Sequence, residues 1–332
     1  MSSQFISSKK YDYPLIVFSP LIGFILVLAF SSPRTPDQSQ ILDYNSPVWL
    51  ILLANVFILA HLTIGFTRSH LNRDVYKRFP LRFTVIPLFI VLLFLFQNNI
   101  YLIAFAFTPI WDEIHSFMQT FGFGRIYDAK AGNPPKVGRR FDIILCFVLE
   151  FYPHIVRLTT LDLKEMTRAI EYSDYISIDW VFRMVQHTTL PLTLLGVAYI
   201  LFYIGYYIRL FKKTGYLPSR NKMILFTLTG FVNVVAVTYY TLVEALIINN
   251  IYHSIQYYGI IWYSEGKNLN KIFKKASPWF LLISLCFISL ILGATRYKTE
   301  TLPIWGAFWL TCSLIHFWYD GFMWSVRKNQ AV

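Results

Sequence analysis

The sequence predicts an all-α fold: a polytopic transmembrane helical bundle of about ten helices, or eight if two of them are re-entrant, with both termini cytoplasmic. Three observations carry that prediction. The 332 residues are 55% hydrophobic and 18% aromatic but only 14% charged, with a positive mean hydropathy, which soluble two-domain enzymes do not show. The apolar residues gather in runs of roughly 17 to 25, long enough to cross a bilayer as helices. The basic residues collect in short loops between those runs, where they set orientation. The net charge of +12 therefore reads as a topology signal, and nucleic acid is excluded as a partner.

Residues 1 to 13, with Lys9 and Lys10, read as a short polar start on the cytoplasmic side, followed by a first span over Pro14 to Phe30. That span has no convincing small-residue cleavage site and reads as a retained helix, not a signal peptide. After an outer loop, a second span over Pro47 to Thr67 returns to a basic stretch with Arg68, Arg73, Lys77, Arg78 and Arg82. The third span, Phe83 to Phe107, carries Gln97-Asn98-Asn99, a polar run expected to face protein or a cavity. A fourth, Pro109 to Tyr127, opens on Trp111-Asp112-Glu113 and is too polar to face lipid.

The fifth span, Phe141 to Leu158, places Glu150 and His154 four residues apart on one face. Residues 159–190 read as an external segment with an amphipathic helix lying in the interface. Spans six to eight cover Pro191 to Leu210, Met223 to Tyr240 and Thr241 to Tyr263; nine and ten cover Pro278 to Thr295 and Leu302 to Val326. Spans four and eight are the two that can be re-entrant. This topology leaves Arg34, Arg157, Lys164, Arg168, Arg183, Arg296 and Lys298 outside and the rest of the 30 Lys and Arg inside, the asymmetry a correct topology gives. The whole chain, 1–332, reads as a single integral membrane domain.

The chemistry is expected in four histidine motifs. His115-Ser116 is followed by Gln119 and Gly122, and His253-Ser254 is followed by Gln256 and Gly259. His61 precedes Gly65-Phe66, and His316 precedes Asp320-Gly321-Phe322. All four lie on spans predicted to run inward. A charge at the centre of a membrane helix costs about 2.5 to 3.5 kcal/mol, and a metal offsets the burial of imidazoles and of a carboxylate together. The spacing therefore predicts a metal site of His61, His115, His253, His316 and Asp320. Asp320, on the face of His316, and Glu150 are the candidate catalytic carboxylates; Gln119 and Gln256 are expected to orient the imidazoles. Arg68, about 700° of helix beyond His61 and so on its face, is expected to hold an anionic head group, with Tyr257 and Tyr319 lining a substrate pocket. Glycines beside the motifs permit close helix approach.

Imidazoles with carboxylate and no thiolate suit iron, with zinc or copper as the other choices. Cys146, Cys286 and Cys312 lie in apolar runs without CxxC spacing and read as buried small residues. The HxxxH and HxxHH boxes of membrane desaturases are absent, as are HExxH, GxSxG, Walker and CxxCH patterns. The expected function is a membrane-embedded, metal-dependent, oxygenase-like oxidoreductase acting on a lipophilic, bilayer-soluble substrate. Its partners would be membrane lipids and a redox protein, its setting a bacterial inner membrane. A transporter or channel with a polar midplane site, and a haem or quinone electron-transfer protein, are the alternatives. His70, about 900° beyond His61, is expected on the opposite face, towards solvent.

Overall fold

The computed structural model describes residues 4–34, 48–161, 184–273 and 303–323, with 284, 287, 288 and 291 between the last two stretches. All regular structure among them is helical. In order these are α1 (Lys9–Asp12), a π-helical turn (Tyr13–Val17), α2 (Ser19–Leu28), α3 (Val48–Ser69), α4 (Arg73–Arg78), α5 (Pro80–Phe96), α6 (Asn98–Lys130), α7 (Arg139–Leu158), α8 (Thr189–Thr214), α9 (Arg220–Tyr239), α10 (Leu242–Ile272) and α11 (Pro303–Met323). Most of the ninth predicted span and most of the external amphipathic segment lie outside the described residues.

Among the described residues two helices are long and apolar enough to cross a membrane, Met184–Thr214 and Arg220–Tyr239. There are up to four such spans if each of two bent helix pairs counts as one. A ten-span bundle is therefore not established. One bent pair corrects the third and fourth spans. The chain breaks at Gln97, not near Pro109, and α5 and α6 meet there at 113°. Gln97 leaves helical geometry (φ −128°, ψ 79°), and its carbonyl accepts from the main-chain N–H of Ile100 and Tyr101. Gln97, Asn98 and Asn99 are exposed: the polar run caps a bend instead of facing protein. Pro109 stays inside the 33-residue α6, since a helical proline forfeits a backbone bond without having to end the helix. The eighth span also runs on, through the expected basic loop, to Ile272.

The chain forms two compact units, Met1–Leu50 with Ser116–His253, and Ile51–His115 with Ser254–Val332. In the first, α7 packs on α8 and α9. Gly230 lies so close to α7 that a Cβ there would come within 2.6 Å of Leu149. Buried charge organises its end. Lys222 Nζ lies 2.8 Å from Asp128 Oδ2 and 2.7 Å from Asp142 Oδ2, and Arg125 pairs with the same two oxygens at 3.0 and 2.6 Å. Tyr203 and Tyr207 donate to Asp142 at 2.8 and 2.9 Å. Two cations against two carboxylates leave no net charge to desolvate, the condition under which such a cluster survives burial. Burial and the neighbouring Asp128 carboxylate push the Tyr216 phenol well above its usual range. Gly138, at φ +68°, starts α7 where a side chain would overlap the Tyr207 hydroxyl.

In the second unit four helices run in one direction, as their contacts show. Arg68 of α3 and Leu71 just beyond its end bond Glu265 and Asn268 of α10, while Phe57 and His61 meet Tyr258 and Ser254 earlier on both helices. Leu59 of α3 packs on Trp309 and Cys312 of α11, and Arg68 reaches Met323. Gly306 of α11 lies against Tyr101 of α6, and further along both helices His316 lies against His115. α5 runs the other way, with Phe94 against Ala307 and Leu310 and Phe83 against Ile315, Tyr319 and Met323. His70 is half-buried here, its Nε2 3.0 Å from the Phe83 carbonyl and its Nδ1 2.7 Å from Ser69 Oγ. The expected solvent-facing placement is corrected, because the chain turns after Ser69 and folds α5 over that face.

Candidate metal centre

Within the second unit, His61, His115, Tyr257, His316 and Asp320 come together from α3, α6, α10 and α11. The Asp320 Oδ2 oxygen lies 3.6 Å from His115 Nε2 and 3.8 Å from His316 Nε2. The ligand atoms of these three side chains all lie within 4.8 Å of one another. Separations of 3.6 to 3.8 Å are too long for hydrogen bonds. They are within a few tenths of the edge of a tetrahedron around a metal, about 3.4 Å for bonds of about 2.1 Å. Imidazole nitrogens with a carboxylate oxygen are donor types that first-row transition ions accept, and the group is one that could hold a metal ion.

The surrounding side chains fix those donors. Tyr257 Oη donates to Asp320 Oδ1 at 3.0 Å, so the carboxylate turns its other oxygen to the imidazoles. The His316 ring is met edge-on by Tyr257 and by His61, each at 4.7 Å between centroids, and by His115 at 5.1 Å. Phe317 lies 4.6 Å from His115. Ser254 Oγ lies 3.1 Å from His61 Nδ1. Gly65 lets α3 close over the cluster: a Cβ there would stand 3.0 Å from Tyr257 Oη and 3.1 Å from His316 Nδ1.

The other expected residues are placed as follows. His253 is buried and closes the first unit, with its carbonyl accepting from Gln119 Nε2 at 3.0 Å; that amide was expected on an imidazole. Glu150, also in the first unit, is fully buried and hydrogen-bonded to Ser116. Gln256 is fully buried in the second unit. Tyr319 donates to the Arg82 carbonyl at 3.0 Å and shares a narrow cleft with His316, Leu62, Phe66 and Met323. Arg68, expected on a head group, pairs with Glu265 at 2.9 Å. Glu265 was missed, although its eleven-residue distance from Ser254, about 1100° of helix, puts both on one face.

The chain matches no protein family, no curated protein and no solved structure.

Proposed function

We propose that this chain is a membrane-embedded, metal-dependent oxidoreductase, oxygenase-like, acting on a lipophilic substrate that reaches it from the bilayer. The observation that carries the reading is the convergence of His115, His316 and Asp320, with ligand atoms within 4.8 Å of one another. His61, packed on His316, is the fourth donor proposed. His253, Gln119 and Glu150 are left out of the proposed set.

The protein's own groups have defined tasks in this reading. Tyr257 holds Asp320 with Oδ2 inward, Ser254 sets the orientation of His61, and Gly65 keeps α3 close enough to exclude bulk water. The apolar walls of Leu62, Phe66, Cys312 and Ile315 favour a hydrocarbon substrate beside His316. A bound redox-active ion would supply electron transfer and oxygen activation, which favours iron or copper over zinc, an ion without redox chemistry.

Elemental analysis of detergent-purified protein, beside His316→Ala and Asp320→Asn, tests the proposal. Stoichiometric iron or copper in the wild type, lost in both variants, is the expected result. Wild type without metal, or a Soret band in its visible spectrum, would overturn it. One observation favours transport instead. Asp142, Cys146, Glu150, His154 and Arg157 form a buried polar stripe along one face of α7, the kind of lining a path for protons or cations needs. Proton or cation flux into proteoliposomes made with metal-free protein would favour that reading.

A further inference from the structure

Between Arg68 and Arg82 the sequence holds five basic residues and one acid, Asp74. This stretch folds as the end of α3, the short α4 and the start of α5. Asn72 caps α4 by accepting from the N–H of Asp74 and Val75 at 3.1 and 3.2 Å, and donates to Glu265 Oε2 at 2.8 Å. The other Glu265 oxygen takes Arg68. One buried carboxylate thus anchors both the arginine and the cap.

Beside this anchor is a cavity of about 280 Å³, with Arg68, Asn72, Asp74, Arg78, Phe79 and Met323 among its walls. Arg78 stands exposed at its rim. Met323 is also a wall of the apolar cleft that contains His316 and Tyr319. Met323 thus lines both the polar cavity, where Arg78 is the arginine without a carboxylate already paired to it among the described residues, and the apolar cleft at the candidate metal centre.

We infer that the cavity binds the anionic head group, carboxylate or phosphate, of the lipophilic substrate, whose chain passes Met323 towards His316. This rests on the reading of the second unit as an enzyme for such substrates. Guanidinium groups suit the chemistry, since they bind planar or tetrahedral oxyanions through paired N–H donors. Surplus positive charge beside a membrane also concentrates anionic amphiphiles. The cleft is narrow as it stands, about 10 Å³, room for roughly one water. The chain enters by displacing Met323, whose unbranched side chain moves readily.

Competition binding tests the inference on the full chain in neutral detergent, with cis-parinarate as a fluorescent fatty-acid probe read by energy transfer from tryptophan. Competitors are palmitate, hexadecyl phosphate, hexadecanol and inorganic phosphate. Palmitate and hexadecyl phosphate are expected to displace the probe at concentrations roughly tenfold below hexadecanol, what one charge-assisted contact supplies, and inorganic phosphate is expected to fail. Arg78→Gln, at an exposed position, should abolish the advantage of the anions and leave hexadecanol unchanged. Equal competition by hexadecanol and palmitate, or no effect of Arg78→Gln, would overturn the inference. Displacement by inorganic phosphate would make the cavity a site for free anions and overturn it too. Metal content is measured on the same samples: absent metal with an intact anion preference removes the enzyme reading alone, and bound metal without the preference removes this inference alone.

Discussion

Tyr257→Phe removes one oxygen atom and probes the metal reading directly. The hydroxyl donates to Asp320 Oδ1 at 3.0 Å, a charge-assisted bond worth about 1.5 to 3 kcal/mol. Without it Asp320 can rotate, and Oδ2 loses its fixed position 3.6 and 3.8 Å from the two imidazoles. At about 1.4 kcal/mol per factor of ten, metal affinity should fall roughly ten- to a hundredfold, as for other residues that orient metal ligands. The assay is competition for the ion against a chromophoric chelator, on protein in detergent. Tyr319→Phe is the control, because that hydroxyl bonds the Arg82 carbonyl and should leave affinity within about twofold. Wild-type affinity in Tyr257→Phe, or an equal loss in Tyr319→Phe, would refute the geometry on which the site rests.

Other outcomes follow from the same contacts. Gly65→Ala places a methyl 3.0 to 3.1 Å from Tyr257 Oη and His316 Nδ1; metal affinity should drop roughly tenfold by chelator competition, with helix content by circular dichroism unchanged. Adding the ion at about a hundred times its Kd should stabilise the wild type by about 2.7 kcal/mol, seen as a raised Tm that His316→Ala does not show. Lys222→Met leaves Asp128 and Asp142 sharing one arginine, and thermal unfolding should show a loss of about 3 to 5 kcal/mol. Adding Asp142→Asn to that variant should cost less than the sum of the two single losses. Gly138→Ala, at a positive φ and against Tyr207, should lower Tm and the yield of folded protein.

The helices from α7 to α9 and α11 were legible because apolar runs and their basic flanks mark ends within a few residues, as at Arg139–Leu158 and Pro303–Met323. Hydropathy alone could not place the break at Gln97. It scores the polar run as a flaw in a span, whereas the exposed residues cap a bend. The approach of His61, His115, His316 and Asp320 was anticipated from helical spacing, since each motif repeats one face at a similar distance from a basic loop. Pairing partners are a different matter. Glu265 and Lys222 looked like loop charges, and only the fold shows them buried against Arg68 and against Asp128 with Asp142. A basic residue that serves as an orientation signal in the sequence can be a structural cation in the folded chain.

Two of the three boundaries between the units fall inside a His-Ser pair, at His115 and Ser116 in α6 and at His253 and Ser254 in α10; the third falls between Leu50 and Ile51 in α3. Neither unit is a continuous stretch, so no single truncation releases one intact. His61 and His115 are made early, the first unit follows, and His316 with Asp320 arrive only on α11. In the metal reading, a chain interrupted before α11 carries His61 and His115 without His316 and Asp320, and the proposed donor set is complete only once α11 has been made.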